Sequence, residues 1–186
     1  MGMPAQQTEW TAEGALALPY DGNRYEVLDG ELFVSPAPSF SHQFVVQGFV
    51  TRLMPYVDQH QLGWVLAAPA DVTFSPRRLV QPDIFVVPDT GQGRPREWKD
   101  VRRLSLVVEV LSPSTARADR WRKRTIYQSE RIPEYWIVDP DARLVESWKP
   151  DDERPAVIAE VLRWQPKSDV PALEINLPEF FADALD

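Results

Sequence analysis

The sequence predicts a fold of the α/β or α+β class, a mixed central sheet flanked by helices. Three observations support this. Short apolar, β-branched runs such as Leu106–Val110 and residues 84–87 are bounded by turn residues and read as strands covered on both faces. Two longer segments, 39–61 and 115–131, carry helical spacing. Strands precede, interrupt and follow those helices, which favours a mixed sheet. With 186 residues, 44% hydrophobic and 26% charged, the chain has the size and balance of one globular domain with one substantial core. The expectation is a single domain over 1–186, its core about 20–164, with an N-terminal helix and a C-terminal extension.

Residues 8–18 suit a short helix, with Thr8 as N-cap and Pro19 and Gly22 ending it. Two strands, 24–28 and 32–35, meet at Asp29-Gly30, a hairpin signal. Ser39 or Ser41 then caps a helix to about Gln61, with Phe44, Val45, Phe49, Leu53 and Tyr56 recurring at three- and four-residue steps. Pro55 predicts a kink or break near Met54, and Gly63 a C-cap. Strands follow at 64–68 and 71–74, a turn at 76–79, and a strand at 83–87. Residues 89–99 read as a loop rich in Gly, Pro and charge. After the Glu109 strand, Thr115 caps a basic helix to about Arg131. Strands at 134–138, 144–148 and 156–164 and a short helix at 178–185 complete the chain. Trp136, Trp148 and Trp164 fall in strands and are read as core.

Zero cysteines exclude disulfides and thiolate metal sites, and two histidines, His42 and His60, argue against a histidine-rich zinc centre. A metal here would be held by oxygen, which points to Mg²⁺ or Mn²⁺. No apolar stretch approaches bilayer-spanning length and no signal-peptide pattern is evident, so the expectation is a cytoplasmic protein without a membrane partner. The formal net charge of −8 argues against nucleic-acid binding. Two basic segments, 94–103 and 117–124, flank the Glu109 strand and argue for it; solvated surface is the alternative.

Glu109 stands in the middle of Leu-Val-Val-Glu-Val-Leu, where a charge must be paired, bind a metal or give up its ionisation. Asp83 opens a second apolar strand after Gln81-Pro82. If the two strands are neighbours, the carboxylates repel unless a divalent cation neutralises them, and the Val110 carbonyl could add a third oxygen ligand. The alternatives are a turn residue for Asp83 and an arginine-paired acid for Glu109.

Pro82-Asp83, followed 26 residues later by Glu109-Val110-Leu111, resembles the PD-(D/E)xK nuclease superfamily. The chain also looks like a bacterial family of small restriction-endonuclease-like proteins. That likeness runs through Arg24-Tyr25-Glu26-Val27-Leu28-Asp29-Gly30-Glu31, Gln81-Pro82-Asp83 and Val108-Glu109-Val110-Leu111-Ser112-Pro113-Ser114-Thr115. It continues with Asp119, Lys123 and Tyr127, then Pro133-Glu134-Tyr135-Trp136-Ile137-Val138-Asp139-Pro140. It spans about 20–164.

The resemblance implies a restriction-endonuclease-like mixed sheet and Mg²⁺- or Mn²⁺-dependent cleavage of DNA. It implies Asp83 and Glu109 as metal ligands and Glu26 as a further acid, which alone would read as a solvent-facing strand residue. Leu111 stands where the motif has lysine. Lys123, 14 residues beyond Glu109, matches a displaced lysine of the family; its alternative is a surface pair with Asp119. Gln81 shares a face with Asp83 if the strand extends across Pro82. His42 matches a histidine common in the family but reads as a capping or surface residue ahead of a catalytic one. A homodimer is expected by analogy with nucleases that cut two strands. The rival expectation is a catalytically weakened member of the same fold, acting in binding or assembly.

Overall fold

The structure, a computed structural model, describes residues 9–101 and 103–186. The chain opens with a one-turn helix, α1 (Ala12–Leu16), capped by the Thr11 side chain, which accepts from Gly14 N–H. This is shorter than the helix expected over 8–18, and the expected Thr8 cap lies outside the described residues. A hairpin follows, β1 (Arg24–Leu28) and β2 (Glu31–Ser35). Its two loop residues, Asp29 and Gly30, both take positive φ, 54° and 90°, as a tight hairpin turn of right-handed strands requires.

Helix α2 (Phe40–Gln59) starts at Ser39, whose hydroxyl accepts from His42 N–H. It runs through Pro55 without a break, because Val57, Tyr56 and Leu53 bury on one side and hold the turn in place. The helix ends at His60 rather than at Gly63. Gly63 instead opens β3 (Gly63–Ala67), with φ 134° and the Val87 carbonyl 1.9 Å from where a Cβ would stand. Residues expected as a turn at 76–79 form a second hairpin, β4 (Val72–Ser75) and β5 (Arg78–Val80), so the turn itself is only Pro76-Arg77.

Strands β6 (Ile84–Pro88), β7 (Leu106–Val110), β8 (Tyr135–Asp139), β9 (Leu144–Trp148) and β10 (Ala156–Ile158) join β3 in a six-stranded sheet of order β10-β9-β8-β7-β6-β3. Only β7 and β8 are parallel, and the long crossover between them carries a helix, as parallel pairing demands. That helix is a wide-turn π segment, Ala118–Lys123, continued by α3 (Arg124–Ser129). The expected single strand over 156–164 divides. Its second half, β11 (Val161–Trp164), leaves the large sheet and pairs with β12 (Leu173–Asn176), ahead of α4 (Leu177–Leu185).

Strand alternation sorts the core into two faces. Ile84, Val86, Leu106, Val108, Val110, Trp136 and Val138 pack with α2 and α4. Gly48 lets those helices touch: a Cβ there would stand 2.8 Å from the Phe180 ring. Phe85, Val107, Tyr135 and Ile137 face the other way, onto Ile126 and Tyr127 of α3 and onto Val72 and Val80 of the small sheet β2-β1-β5-β4. Glu109 belongs to this second face by alternation. Trp136, Trp148 and Trp164 are core residues, as expected.

Candidate active site

The register sets Ile84 opposite Val108, so Asp83, one residue earlier, reaches the level of Glu109 on the adjacent strand. Both are buried, with Asp83 2% and Glu109 1% exposed. Two more acids join them: Glu26 from β1 and Asp119 from the π segment, each 1% exposed. Three of these carboxylates, Glu26, Glu109 and Asp119, meet between the second face of the large sheet, the small sheet and the crossover helix, with Asp83 beside them at the start of the strand next to Glu109.

Lys123 supplies the positive charge at their centre. Its Nζ lies 3.0 Å from Glu26 Oε1, 3.1 Å from Glu109 Oε1 and 3.4 Å from Asp119 Oδ1. A lysine 1% exposed is no surface-pair residue. The wide turn of the helix bears both Asp119 and Lys123, a device found often at functional sites. Tyr127 O–H donates to the same Glu109 Oε1 at 2.8 Å, and Gln81 N–H to Glu26 Oε1 at 2.8 Å. Gln81 contributes by its backbone alone; its side chain turns to Asp71 Oδ1 at 2.8 Å.

Asp83 is held by different groups. Arg24 Nη1 donates to Oδ1 at 2.7 Å, and Val110 N–H to Oδ2 at 2.9 Å. His42 Nε2 lies 3.0 Å from Asp83 Oδ2 and 3.1 Å from the Val110 carbonyl. Both partners are acceptors, so Nε2 carries the proton. Its Nδ1 is buried and has no partner among the described residues. His42 is therefore inside the site, not on the surface, and its own amide is capped by Ser39 rather than its ring capping the helix.

The charges follow from these contacts. Burial would raise the Asp83 pKa, but His42, Arg24 and the Val110 N–H outweigh it and lower it to about 2. Burial raises Glu109 well above its ordinary value, with Asp119, Asp83 and Glu26 adding repulsion that Lys123 only partly offsets. Asp119 is pushed up to about 6, chiefly by burial against the pull of Lys123. Burial would lower Lys123, yet Glu109, Glu26 and Asp119 hold it well above 10.5, so it stays protonated.

The site's donor atoms suit a hard divalent cation. Ionised together, the four carboxylates would exceed the two permanent cations, Lys123 and Arg24, by two charges, and the Glu109 carboxyl relieves part of that excess by holding its proton. The oxygens of Asp83, Glu109 and the Val110 carbonyl are the type Mg²⁺ prefers. Both Glu109 contacts fall on Oε1, and Oε2 accepts no hydrogen bond among the described residues. Among those residues no three His, Cys, Asp or Glu side chains converge as a ready metal cage. A Mg²⁺ here would keep several waters, as that ion usually does.

The basic segment over 117–124 is not the free patch its composition suggests. Arg120 is tied to Asp139 and Glu146 at 2.9 and 2.7 Å, and Arg122 to Glu31. Arg124 lies over the Trp148 ring at 4.5 Å. Arg24 is a site residue that the sequence signals only by its i, i+2 spacing from Glu26, which puts both on one face of β1.

A family model described as Uma2, putative restriction endonuclease, matches residues 12–181. A crystal structure of a putative nuclease belonging to DUF820 from Anabaena variabilis matches with a TM-score of 0.76 at 19% identity, covering 94% of this chain and 99% of that one. At that identity the likeness shows the fold, a restriction-endonuclease-like one. No curated protein matches.

Proposed function

This chain belongs to the Uma2 family, and on that premise we propose that it is a divalent-metal-dependent endonuclease that hydrolyses DNA phosphodiester bonds at Asp83 and Glu109. The observation that carries the reading is the buried pair of acids on adjacent strands, with Lys123 on Glu109 and an excess of negative charge around them. Asp83 is kept ionised by Arg24 and His42 and is a standing anionic ligand. Glu109 takes up charge as further positive charge arrives, and Val110 offers its carbonyl. When bound, Mg²⁺ or Mn²⁺ supplies Lewis-acid polarisation of the phosphate and acidifies a water.

Lys123 stands in for the lysine missing at Leu111, which packs against the second core face where an ammonium would be costly. Its ammonium, fixed beside Glu109 Oε1, adds positive charge where phosphorane charge develops. Glu26 and Asp119 position that ammonium.

One observation favours a second reading. Both Asp83 oxygens are already satisfied by Arg24, His42 and Val110, as in a purely structural buried acid. On that reading the fold serves binding or assembly, with catalysis weakened by Leu111. Nicking of supercoiled plasmid with Mg²⁺ or Mn²⁺ separates the two. Wild type nicks and Glu109→Gln does not if the proposal holds. A folded wild type that is inactive with both metals, or nicking unchanged in Glu109→Gln, sinks it.

A further inference from the structure

A cleft of about 300 Å³ opens at the edge of the large sheet, away from the four acids. Trp64 and Leu66 of β3 and Val87 of β6 form its floor, and the loop carrying Arg94, Arg96 and Trp98 forms its rim. Strand β3 is the sheet's edge, and among the described residues no strand pairs beyond it. Trp98 touches Phe85 at a ring distance of 6.3 Å yet stays 46% exposed. An indole left half in water over an apolar floor contributes little to the fold and much to a ligand.

The charges around it are arranged for an anion. Nine of the described arginines hold a carboxylate. Among the described residues six arginines do not, and two of these, Arg94 and Arg96, are exposed together on the rim of this cleft. The one acid lining the cleft, Glu97, is turned to Lys99 Nζ at 2.5 Å. In a chain of net charge −8, two unpaired guanidiniums beside two indoles fit a ligand that is planar at one end and anionic at the other. Indoles stack on any base and guanidiniums hold phosphate oxygens in pairs. The volume suits one such unit, at the small end of ligand pockets.

The cleft also shares a sheet face with the acids. Trp64 and Leu66 pack on the same core cluster as Val107 and Tyr127. The pairing Leu66–Phe85–Val107 carries that face across two strands to β7. With strand spacings near 4.8 Å and a rise near 3.3 Å per residue, the cleft lies roughly 15 Å from Glu109.

We propose that the Trp64–Trp98 cleft, with Arg94 and Arg96, is a nucleotide-binding subsite that holds one base and its phosphate of a nucleic-acid strand passing the acid cluster. The inference deepens the nuclease reading and rests on it for the strand as source of the nucleotide. It is tested without cleavage, in EDTA, by anisotropy of a fluorescein-labelled single-stranded oligonucleotide on the full chain. Arg94→Ser with Arg96→Ser weakens binding about tenfold at low salt and flattens its salt dependence, since fewer counterions are released. Trp98→Ala weakens binding of the normal oligonucleotide but not of an abasic one of equal length. Wild-type binding in the double arginine variant, or equal loss on the abasic strand in Trp98→Ala, overturns the subsite. No oligonucleotide binding at low salt by the wild-type chain also overturns it. Adenosine monophosphate binding as tightly as the oligonucleotide overturns the strand as source. Binding that responds as expected in a protein that never nicks DNA leaves the subsite standing and removes only the nuclease reading.

Discussion

Asp83 and Glu109 stand one strand apart and live in opposite electrostatic surroundings. Asp83 receives a guanidinium, a ring N–H and a backbone N–H, and its pKa falls to about 2. Glu109 shares one ammonium with two other acids, and its carboxyl resists ionisation because it is buried among them. The difference teaches that equal burial does not mean equal charge: the donors within reach decide it. One half of the site is neutralised by the chain itself. The other half is short of positive charge.

The largest effect should come from removing the shared ammonium. Lys123→Met leaves Glu26, Glu109 and Asp119 with no buried counter-charge and should cost about 3–5 kcal/mol in urea denaturation. Adding Glu109→Gln should return part of it, and the double-mutant cycle measures the coupling. A loss under about 1 kcal/mol would mean that Glu109 does not depend on Lys123.

Asp83→Asn breaks the other half. Arg24 and His42 would then face an amide, at a cost of about 2–3 kcal/mol, because Arg24 is near enough to the surface to recover some hydration. A thermal melt at pH 7 checks it, and a cost above that of Lys123→Met would invert the contrast.

The two halves should also separate on a pH axis. Asp119 binds its proton more tightly folded, with a pKa of about 6, than unfolded, at 3.8. The folded state then holds more protons between those values, so stability falls as pH rises from about 4 to about 6, by about 3 kcal/mol in total. Asp119→Asn should reduce that fall, and the remainder belongs to Glu109, whose carboxyl is raised in the same direction. Asp83 slopes the other way. Its depressed pKa contributes stability that is present above about pH 4 and lost as pH falls toward 2. Melts from pH 2 to 7 on wild type and Asp119→Asn show whether both limbs exist. Smallest of all, Arg122→Ser removes an exposed pair with Glu31 and should change stability by less than about 1 kcal/mol, read from the same melts.

What could be read from the sequence follows the range of the forces involved. Glu109 was visible because a carboxylate inside an apolar run is costly wherever the chain folds, and Asp83 because it opens a second such run. Lys123 was visible only through the family resemblance. Its four-residue spacing from Asp119 describes a surface pair on a regular helix, and nothing local announces the wide π turn. Arg24 and His42 meet Asp83 across 59 and 41 residues, so only tertiary structure joins them. The basic run over 117–124 misled for the same reason, since Glu31, Asp139 and Glu146, which neutralise it, are distant in sequence or on other strands. After Ile158 the chain leaves the large sheet, and the Glu160 carbonyl accepts from Leu177 N–H at the start of α4, extending the β11–β12 pairing. No local pattern encodes that bond.

On the proposed function, a divalent cation completes the charge balance beside Glu109. Calorimetric titration with Mn²⁺ at pH 7 tests it most directly, on wild type, Asp83→Asn and Glu109→Gln, each shown folded by melting. The expected result is one Mn²⁺ per wild-type chain and no measurable binding in either variant. A folded wild type that binds none, or variants that bind as wild type does, would contradict it.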